Sequence, residues 1–228
     1  MAQKTKNVAG HEHILYTRET YPLSEVEERS NSFYEWLDER RTVREISDRP
    51  VSKRVIENLI MAASTAPSGA HKQPWTFCAV SNHEMKKRIR DAAEKEEYDS
   101  YNGRMSDRWL EDLKAFGTDW NKPFLEKAPW LVILMKRVYE TEDGKKANNY
   151  YVNESVGIAA GMFISAIHHA GLVTLTHTPS PMNFLSKILG RPENERPFLL
   201  LPVGYPEEEV YVPDLHRKSL SEVAVFYD

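Results

Sequence analysis

The stretch Thr65-Ala66-Pro67-Ser68-Gly69-Ala70-His71 decides the fold, because it separates a predicted helix from a predicted strand. The helix is expected after Ser52, since apolar residues recur on one face, and the strand is expected over Trp75–Val80, a short apolar run. Between them, small residues and proline break the helix and let a flat ligand approach the backbone amides. For this stretch alone, a plain connection between helix and strand is the alternative.

A basic run, Arg40-Arg41-Thr42-Val43-Arg44, lies upstream at the end of another predicted helix. Three guanidinium groups and a hydroxyl so close together can bind a phosphate through forked, charge-assisted hydrogen bonds. A solvated basic helix end is the alternative, and such ends are common on protein surfaces. Taken together, the basic run and the small-residue stretch favour a flat ligand that carries a phosphate.

The rest of the chain predicts one folded domain behind a short arm. Residues 1–22 show no periodicity and are expected to form an extended arm, while 23–228 form a single domain. Ser24 and Glu27 have the spacing of a capping box, which predicts that a helix begins there. The stretch from about residue 98 to Trp120 is polar and aromatic and is interpreted as a lid.

The predicted helix over Tyr150–Ala170 is apolar on nearly every side. Such a helix must be covered all round, and a chain of this length has few elements to cover it, so a subunit interface is expected there. Helices alternate with apolar strands such as 130–135 and 198–203, which predicts an α+β or α/β fold. A strand–GxGxxG–helix unit is missing from the sequence.

Composition excludes several classes of function. The formal net charge of −4 gives no basic field for nucleic acid and no polybasic block for a membrane surface. Cys78 is the only cysteine, which is typical of a reducing compartment, and the N-terminus has no apolar segment of signal-peptide length. A cytoplasmic location is therefore expected. The histidine pairs lack zinc-ligand spacing, so no metal is predicted.

The two motifs, followed by Gln73-Pro74-Trp75, resemble the FMN-binding motifs of the nitroreductase and flavin reductase superfamily. Three further segments resemble the iodotyrosine deiodinases of that superfamily: Glu94-Lys95-Glu96-Glu97 with Tyr101 and Arg104-Met105, 172–179, and 201–206 followed by 212–215. The resemblance covers roughly residues 32–226. Animal deiodinases carry an N-terminal membrane anchor, so this chain is more similar to the soluble, bacterial type.

The resemblance implies a nitroreductase-like α+β fold, with a mixed β-sheet flanked by helices, and an intertwined homodimer with FMN sites at its interface. By the same resemblance Arg40, Arg41 and Arg217 hold the FMN phosphate with help from Thr42. Arg44 lies near the pyrimidine edge of the flavin. The remaining cofactor-binding residues are then Ser68, Gly69, Thr176 and Thr178. A Thr178 hydroxyl at flavin N5 favours stepwise one-electron transfer, which makes Thr178 the predicted catalytic residue.

The resemblance also implies a site for the substrate's zwitterion. Glu97 pairs with the ammonium and Lys122 with the carboxylate, Tyr101 completes the contact, and the Ala70 N–H faces the phenolate. On spacing alone, a solvated lid helix is the better explanation of Glu97 and Tyr101, and only the family resemblance reverses this. His177 is interpreted as structural.

The activity implied is reductive removal of iodide from 3-iodotyrosine and related halotyrosines, with NAD(P)H as the ultimate donor. A broad-specificity FMN nitroreductase or quinone reductase is the first alternative, because it needs none of the zwitterion-binding residues. A flavoprotein without enzymatic activity is the second, since a fold alone does not determine function.

Overall fold

A computed structural model describes residues 4–227, without the side chain of Glu142, and divides the chain into two compact units after Arg40. Residues 1–3 of the expected arm and Asp228 of the expected domain lie outside the described residues. The predicted domain boundary at residues 22 and 23 stays a prediction.

The first unit contains a hairpin and a helix. Strands β1 (Thr5–Val8) and β2 (His11–Ile14) pair antiparallel across a turn with left-handed backbone at Ala9 and Gly10, so part of the expected arm is a hairpin. Helix α1 (Leu23–Asp38) follows Pro22 and has no side-chain cap. The capping-box prediction was therefore wrong, because Ser24 and Glu27 both lie inside the helix.

Six strands belong to the second unit: β3 (Trp75–Val80), β4 (Trp130–Arg137), β5 (Tyr139–Glu142), β6 (Lys145–Asn148), β7 (Val173–Thr174) and β8 (Glu195–Gly204). Four of them form the central sheet in the order β3-β4-β8-β7, and β5 pairs with β6 in a separate hairpin. Every pair in the central sheet is antiparallel, which differs from the mixed sheet that we expected. The α+β class is confirmed, and within the central sheet β3 and β8 run in one direction while β4 and β7 run in the other.

Seven helices of the same unit are described: α2 (Lys53–Ala63), α3 (His83–Asp99), α4 (Asp107–Lys114), α5 (Phe124–Lys127), α6 (Val152–His169), α7 (Asn183–Ile188) and α8 (Leu220–Val223). Side-chain caps fix where several of these helices begin, among them α2, α3 and α4. The Ser52 hydroxyl accepts the Val55 N–H at 3.4 Å before α2, and Asn82 accepts the Met85 N–H at 2.9 Å before α3. The start of α2 that the sequence predicted at Ser52 is confirmed.

The sheet is buried on both faces, which explains the continuous apolar run in β4. Val132 and Leu134 pack with α2 and α6 on one face, whereas Leu131, Ile133 and Met135 pack with α3 and α7 on the other. No helix in residues 4–227 is both long and apolar enough to cross a membrane. The predicted lid stretch is more regular than expected, because a π-helical turn over Ser100–Arg104 leads into α4.

Two neighbouring residues leave no room for a side chain at Gly204, at the end of β8. A Cβ atom there would lie 2.7 Å from both Ile46 Cγ2 and Pro129 Cδ. We expect Gly204→Ala to lower the free energy of unfolding by about 1–3 kcal/mol through overpacking. Gly103→Ala is the matched control, since a Cβ atom there meets nothing within 4 Å. Equal midpoints of urea unfolding for the two variants would contradict this account.

Candidate active site

The basic run lies beside the short strand β7. The Val43 N–H donates to the Thr174 carbonyl at 3.2 Å, which buries Val43 and leaves its neighbours Thr42 and Arg44 at least partly accessible. Arg41 donates to the Pro213 carbonyl. Arg44 is half-buried, and burial lowers the pKa of its guanidinium without removing its charge at neutral pH. Two fixed cations therefore lie at the start of this unit.

The loop from Ser68 to Gln73 has a strained backbone. Ala70, His71 and Gln73 adopt left-handed conformations with φ of 48°, 55° and 46°, which costs a non-glycine residue about 1 kcal/mol or more. The Ser68 hydroxyl braces the loop by accepting the Gln73 N–H at 2.9 Å. Strain of this kind concentrates at binding sites, where the backbone must present its groups to a ligand.

Gly69 lets this loop pack tightly against the residues that precede α6. A Cβ atom at Gly69 would lie 2.9 Å from the Tyr150 carbonyl oxygen, so a larger residue would force the two segments apart. The Gly69 N–H faces the Ser155 hydroxyl at 3.4 Å. The sequence predicted that a ligand would approach the backbone closely at this loop. In the structure another segment of the chain makes such an approach.

The segment after β7 continues beside β8. Its successive side chains point alternately into the protein and toward solvent. His177 forms two backbone hydrogen bonds with Leu200, at 2.9 and 3.0 Å, and its side chain is buried. Thr176 and Thr178, the residues on either side, are exposed. Both hydroxyls therefore lie on the opposite side from His177, where a ligand can reach them.

The structure brings Glu97, Tyr101 and Lys122, which we call the clasp, into one cluster. Glu97 Oε2 lies 3.7 Å from Lys122 Nζ, and that nitrogen lies 5.5 Å from the centre of the Tyr101 ring. The Tyr101 hydroxyl donates to the Thr118 carbonyl at 3.2 Å. Glu97 and Tyr101 meet Lys122 because the α3 helix continues to Asp99 and a π-helical turn extends it.

Burial shifts the ionisation of the clasp. Burial raises the pKa of Glu97 and the nearby Lys122 charge opposes this, whereas burial lowers the pKa of Lys122 and Glu97 opposes that. The pKa of Tyr101 is raised, chiefly by burial. The side chains of Glu97 and Lys122 are only 12% and 5% exposed, so a ligand that meets them must replace their mutual contact.

Sequence reasoning missed three neighbours of the clasp. His177 Nδ1 lies 3.9 Å from Glu97 Oε1, Thr118 Oγ1 accepts from Lys122 Nζ at 3.0 Å, and Glu94 Oε1 accepts the Lys122 N–H at 2.8 Å. Of these three, only Glu94 could have been predicted from the sequence. It precedes Glu97 by three residues on α3 and therefore lies on the same helix face.

The two remaining arginines of the predicted phosphate site are Arg40 and Arg217. Arg40 closes the first unit, and Arg217 lies exposed in the segment between Pro213 and α8. Their contact with a phosphate, like the roles of the other predicted site residues, stays a prediction.

The chemistry of this donor set fits FMN. Arg41 and Arg44 supply cations for a phosphate and for an electron-rich ring edge, and Thr42, Thr176 and Thr178 supply accessible hydroxyls. The strained loop supplies backbone groups that a ring can approach. These groups would hold the phosphate and the ring, and FMN would supply redox chemistry that none of the side chains can perform.

The chain belongs to the nitroreductase family, whose model matches residues 37–205. It is 60% identical to an iodotyrosine deiodinase from Haliscomenobacter hydrossis, over 94% of this chain and 97% of that protein. It is 46% identical to iodotyrosine deiodinase 1 from Homo sapiens, over 94% of this chain and 75% of that protein.

Two solved structures are similar in fold. One is an oxidized iodotyrosine deiodinase bound to FMN and 3-iodo-L-tyrosine, with a TM-score of 0.75 and 29% identity, covering 86% of this chain and 98% of that one. The other is a nitroreductase-like protein from Streptococcus mutans, with a TM-score of 0.65 and 18% identity, covering 88% and 100%. The second shows the fold alone.

The buried imidazole of His177 predicts a pH dependence of stability. Burial, reinforced by the charges of Lys122 and Arg44, lowers the pKa of His177 from 6.5 to about 3. Between these values the unfolded chain binds a proton at His177 and the folded chain does not, so the free energy of unfolding falls as pH drops below 6.5.

We expect this single group to remove roughly 1 kcal/mol per pH unit below pH 6. The measurement is urea unfolding at pH 7 and pH 5, compared with His177→Asn, which cannot titrate there. The variant should lose less stability than the wild type between the two pH values. Parallel losses would show that His177 is not held neutral.

Proposed function

We propose that the protein is an FMN-dependent reductive dehalogenase that converts 3-iodo-L-tyrosine and related halotyrosines to tyrosine and halide. The observation that carries the proposal is the nearly enclosed Glu97–Lys122 pair, which offers one charge to each end of an amino acid's zwitterion. The deiodinase relatives from bacteria and animals support it.

The reaction replaces a carbon–iodine bond by a carbon–hydrogen bond. It consumes two electrons and one proton and releases iodide. FMN, when bound and reduced, would supply the two electrons, with NAD(P)H as the proposed ultimate donor. A cytoplasmic location is part of the same proposal.

The residues of the clasp bind and orient the amino-acid end of the substrate. Lys122 turns from Glu97 to the substrate carboxylate, and Glu97 receives the substrate ammonium, so one ion pair is exchanged for two. Tyr101 packs beside Lys122 and ties the site to the backbone of Thr118. A ligand with only one of the two charges leaves the other buried residue unpaired, which disfavours its binding.

Other residues act at the aromatic end. The Ala70 N–H, in its left-handed loop, stabilises the phenolate oxygen. Arg41, Thr42 and Arg217 with Arg40 bind the FMN phosphate, while Arg44 faces the pyrimidine edge. Ser68 and Gly69 meet the ring through the loop. Thr176 and Thr178 meet it from the strand end, with Thr178 as the hydrogen-bonding partner at N5.

We further propose a homodimer with the active sites at its interface. In α6 the uncharged residues Gly157, Ile158 and Gly161 are exposed, next to the buried residues Val156 and Ala160. Added Cβ atoms at Gly157 and Gly161 meet nothing within 4 Å, so these glycines leave a shallow face that the same helix of a second copy can fill.

A charge on this face tests the dimer. Gly161→Glu is expected to fold, because its side chain meets open space, but to prevent a second copy from packing there. We expect a dimeric, yellow wild-type protein and a largely monomeric variant that retains little FMN, measured by light scattering and flavin absorbance. Gly103→Glu, at another open position, is the control. A Gly161→Glu variant that is dimeric and fully loaded with FMN would contradict the proposed interface.

Glu97→Gln tests the substrate class. Removing the carboxylate leaves the substrate ammonium without its partner, which costs about 1.5–3 kcal/mol, or one to two decades in affinity for 3-iodotyrosine. Reduction of a nitroaromatic without a zwitterion should change little. Affinity is measured by quenching of flavin fluorescence, and turnover is measured with dithionite as the reductant.

The matched control for this test is Glu84→Gln, the same change at an exposed position in the first turn of α3. It should affect neither substrate. Equal losses on both substrates in Glu97→Gln would favour a broad-specificity nitroreductase, with Glu97 as part of the scaffold only.

Thr178→Ala tests the predicted catalytic residue. Loss of one hydrogen bond worth about 0.5–1.5 kcal/mol predicts a roughly two- to tenfold fall in deiodination, with FMN binding unchanged. Nitro reduction should persist or rise, because it does not depend on one-electron transfer. Thr176→Ala is the control on the same strand end. If deiodination and nitro reduction decline together, Thr178 only packs against the ring.

A further inference from the structure

His177 is a buried polar residue that the proposed mechanism does not use. Its backbone is held by two hydrogen bonds to Leu200, and the ring of Phe124 packs on its imidazole edge-to-face at 5.7 Å. The residue is 7% exposed. An imidazole held this firmly has a defined direction, so what it faces is informative.

The imidazole faces the clasp. His177 Nδ1 lies 3.9 Å from Glu97 Oε1, while the other carboxylate oxygen, Oε2, lies 3.7 Å from Lys122 Nζ. The two oxygens of Glu97 therefore face two different nitrogen atoms. His177 Nε2 is buried and has no hydrogen-bond partner among the described residues.

Burial and nearby charges determine the protonation state of His177. Lys122 and Arg44 are the cations near it, Glu97 is the facing anion, and burial together with the two cations keeps the imidazole neutral. A neutral imidazole carries one proton, and the Glu97 carboxylate favours that proton on Nδ1. A protonated imidazole would compete with the substrate ammonium for Glu97, and a neutral one does not.

We propose that His177 is a positioning residue for Glu97. Once Lys122 turns to the substrate carboxylate, the Glu97 carboxylate loses part of its charge compensation in a nearly enclosed site. His177 Nδ1–H then donates to Oε1 and leaves Oε2 directed at the substrate ammonium. The inference deepens the proposed function and rests on it.

The alternative is that His177 only fills space between Phe124 and the sheet. Two variants of matched shape separate these roles. His177→Asn retains an N–H donor near the position of Nδ1, whereas His177→Leu has nearly the same shape and no donor. Both leave the same reduced packing on Phe124, so a purely structural role affects them equally.

The readout is the dissociation constant of the FMN-loaded variants for 3-iodotyrosine and for its des-amino analogue, measured by flavin fluorescence. We expect the Leu variant to bind 3-iodotyrosine about tenfold more weakly than the Asn variant, since one charge-assisted hydrogen bond is lost. The des-amino analogue should not distinguish the two variants. If the Leu variant loses FMN, His177→Phe is compared with His177→Asn instead, because it keeps a ring on Phe124.

Each outcome separates the inference from the proposed function. If the wild type binds 3-iodotyrosine, Glu97→Gln weakens it, and the Asn and Leu variants bind alike, then the role of His177 is overturned and the proposed function stands. If the wild type does not bind 3-iodotyrosine, both fail. A difference between Asn and Leu of the same size for the des-amino analogue also overturns the inference.

Discussion

The proposed active site depends on one buried pair of opposite charges, Glu97 and Lys122. With 12% and 5% of their side chains exposed, neither can be solvated well, and each would be costly to leave alone. Their separation of 3.7 Å is longer than a hydrogen bond, so the two charged groups are near each other but are not hydrogen-bonded. A ligand gains entry by supplying both charges at once, and an amino acid's zwitterion does so.

The fold holds this pair from both sides. Ile89 and Ala93 anchor α3 on the sheet, and Glu94 Oε1 accepts hydrogen bonds from Arg90 Nε at 2.7 Å and from the Lys122 backbone at 2.8 Å. Lys122 is thus tied to the helix that carries Glu97. The strand end after β7 supplies His177 behind the pair and the two exposed threonines on its other side. In the proposed function, the substrate and the flavin therefore bind on opposite sides of one short segment.

Much of this architecture follows from local patterns. The helix start at Ser52 and the apolar run of β4 were predicted because each depends on neighbouring residues. The cap expected at Ser24 was wrong, since Pro22 ends the preceding segment two residues earlier. The contact of His177 with Glu97 could not be predicted, because it depends on how α3 crosses the sheet. For the same reason the family resemblance, not the spacing, first identified Lys122.

In the proposed binding mode, Lys122 gives up its ion pair with Glu97 and pairs with the substrate carboxylate instead. The most direct measurement compares Lys122→Gln with the wild type for two ligands, 3-iodotyrosine and 3-iodotyramine, which lacks the carboxylate. The account predicts that the variant loses about one to two decades in affinity for 3-iodotyrosine and little or none for 3-iodotyramine, whose ammonium still pairs with Glu97. Equal losses for the two ligands would contradict it.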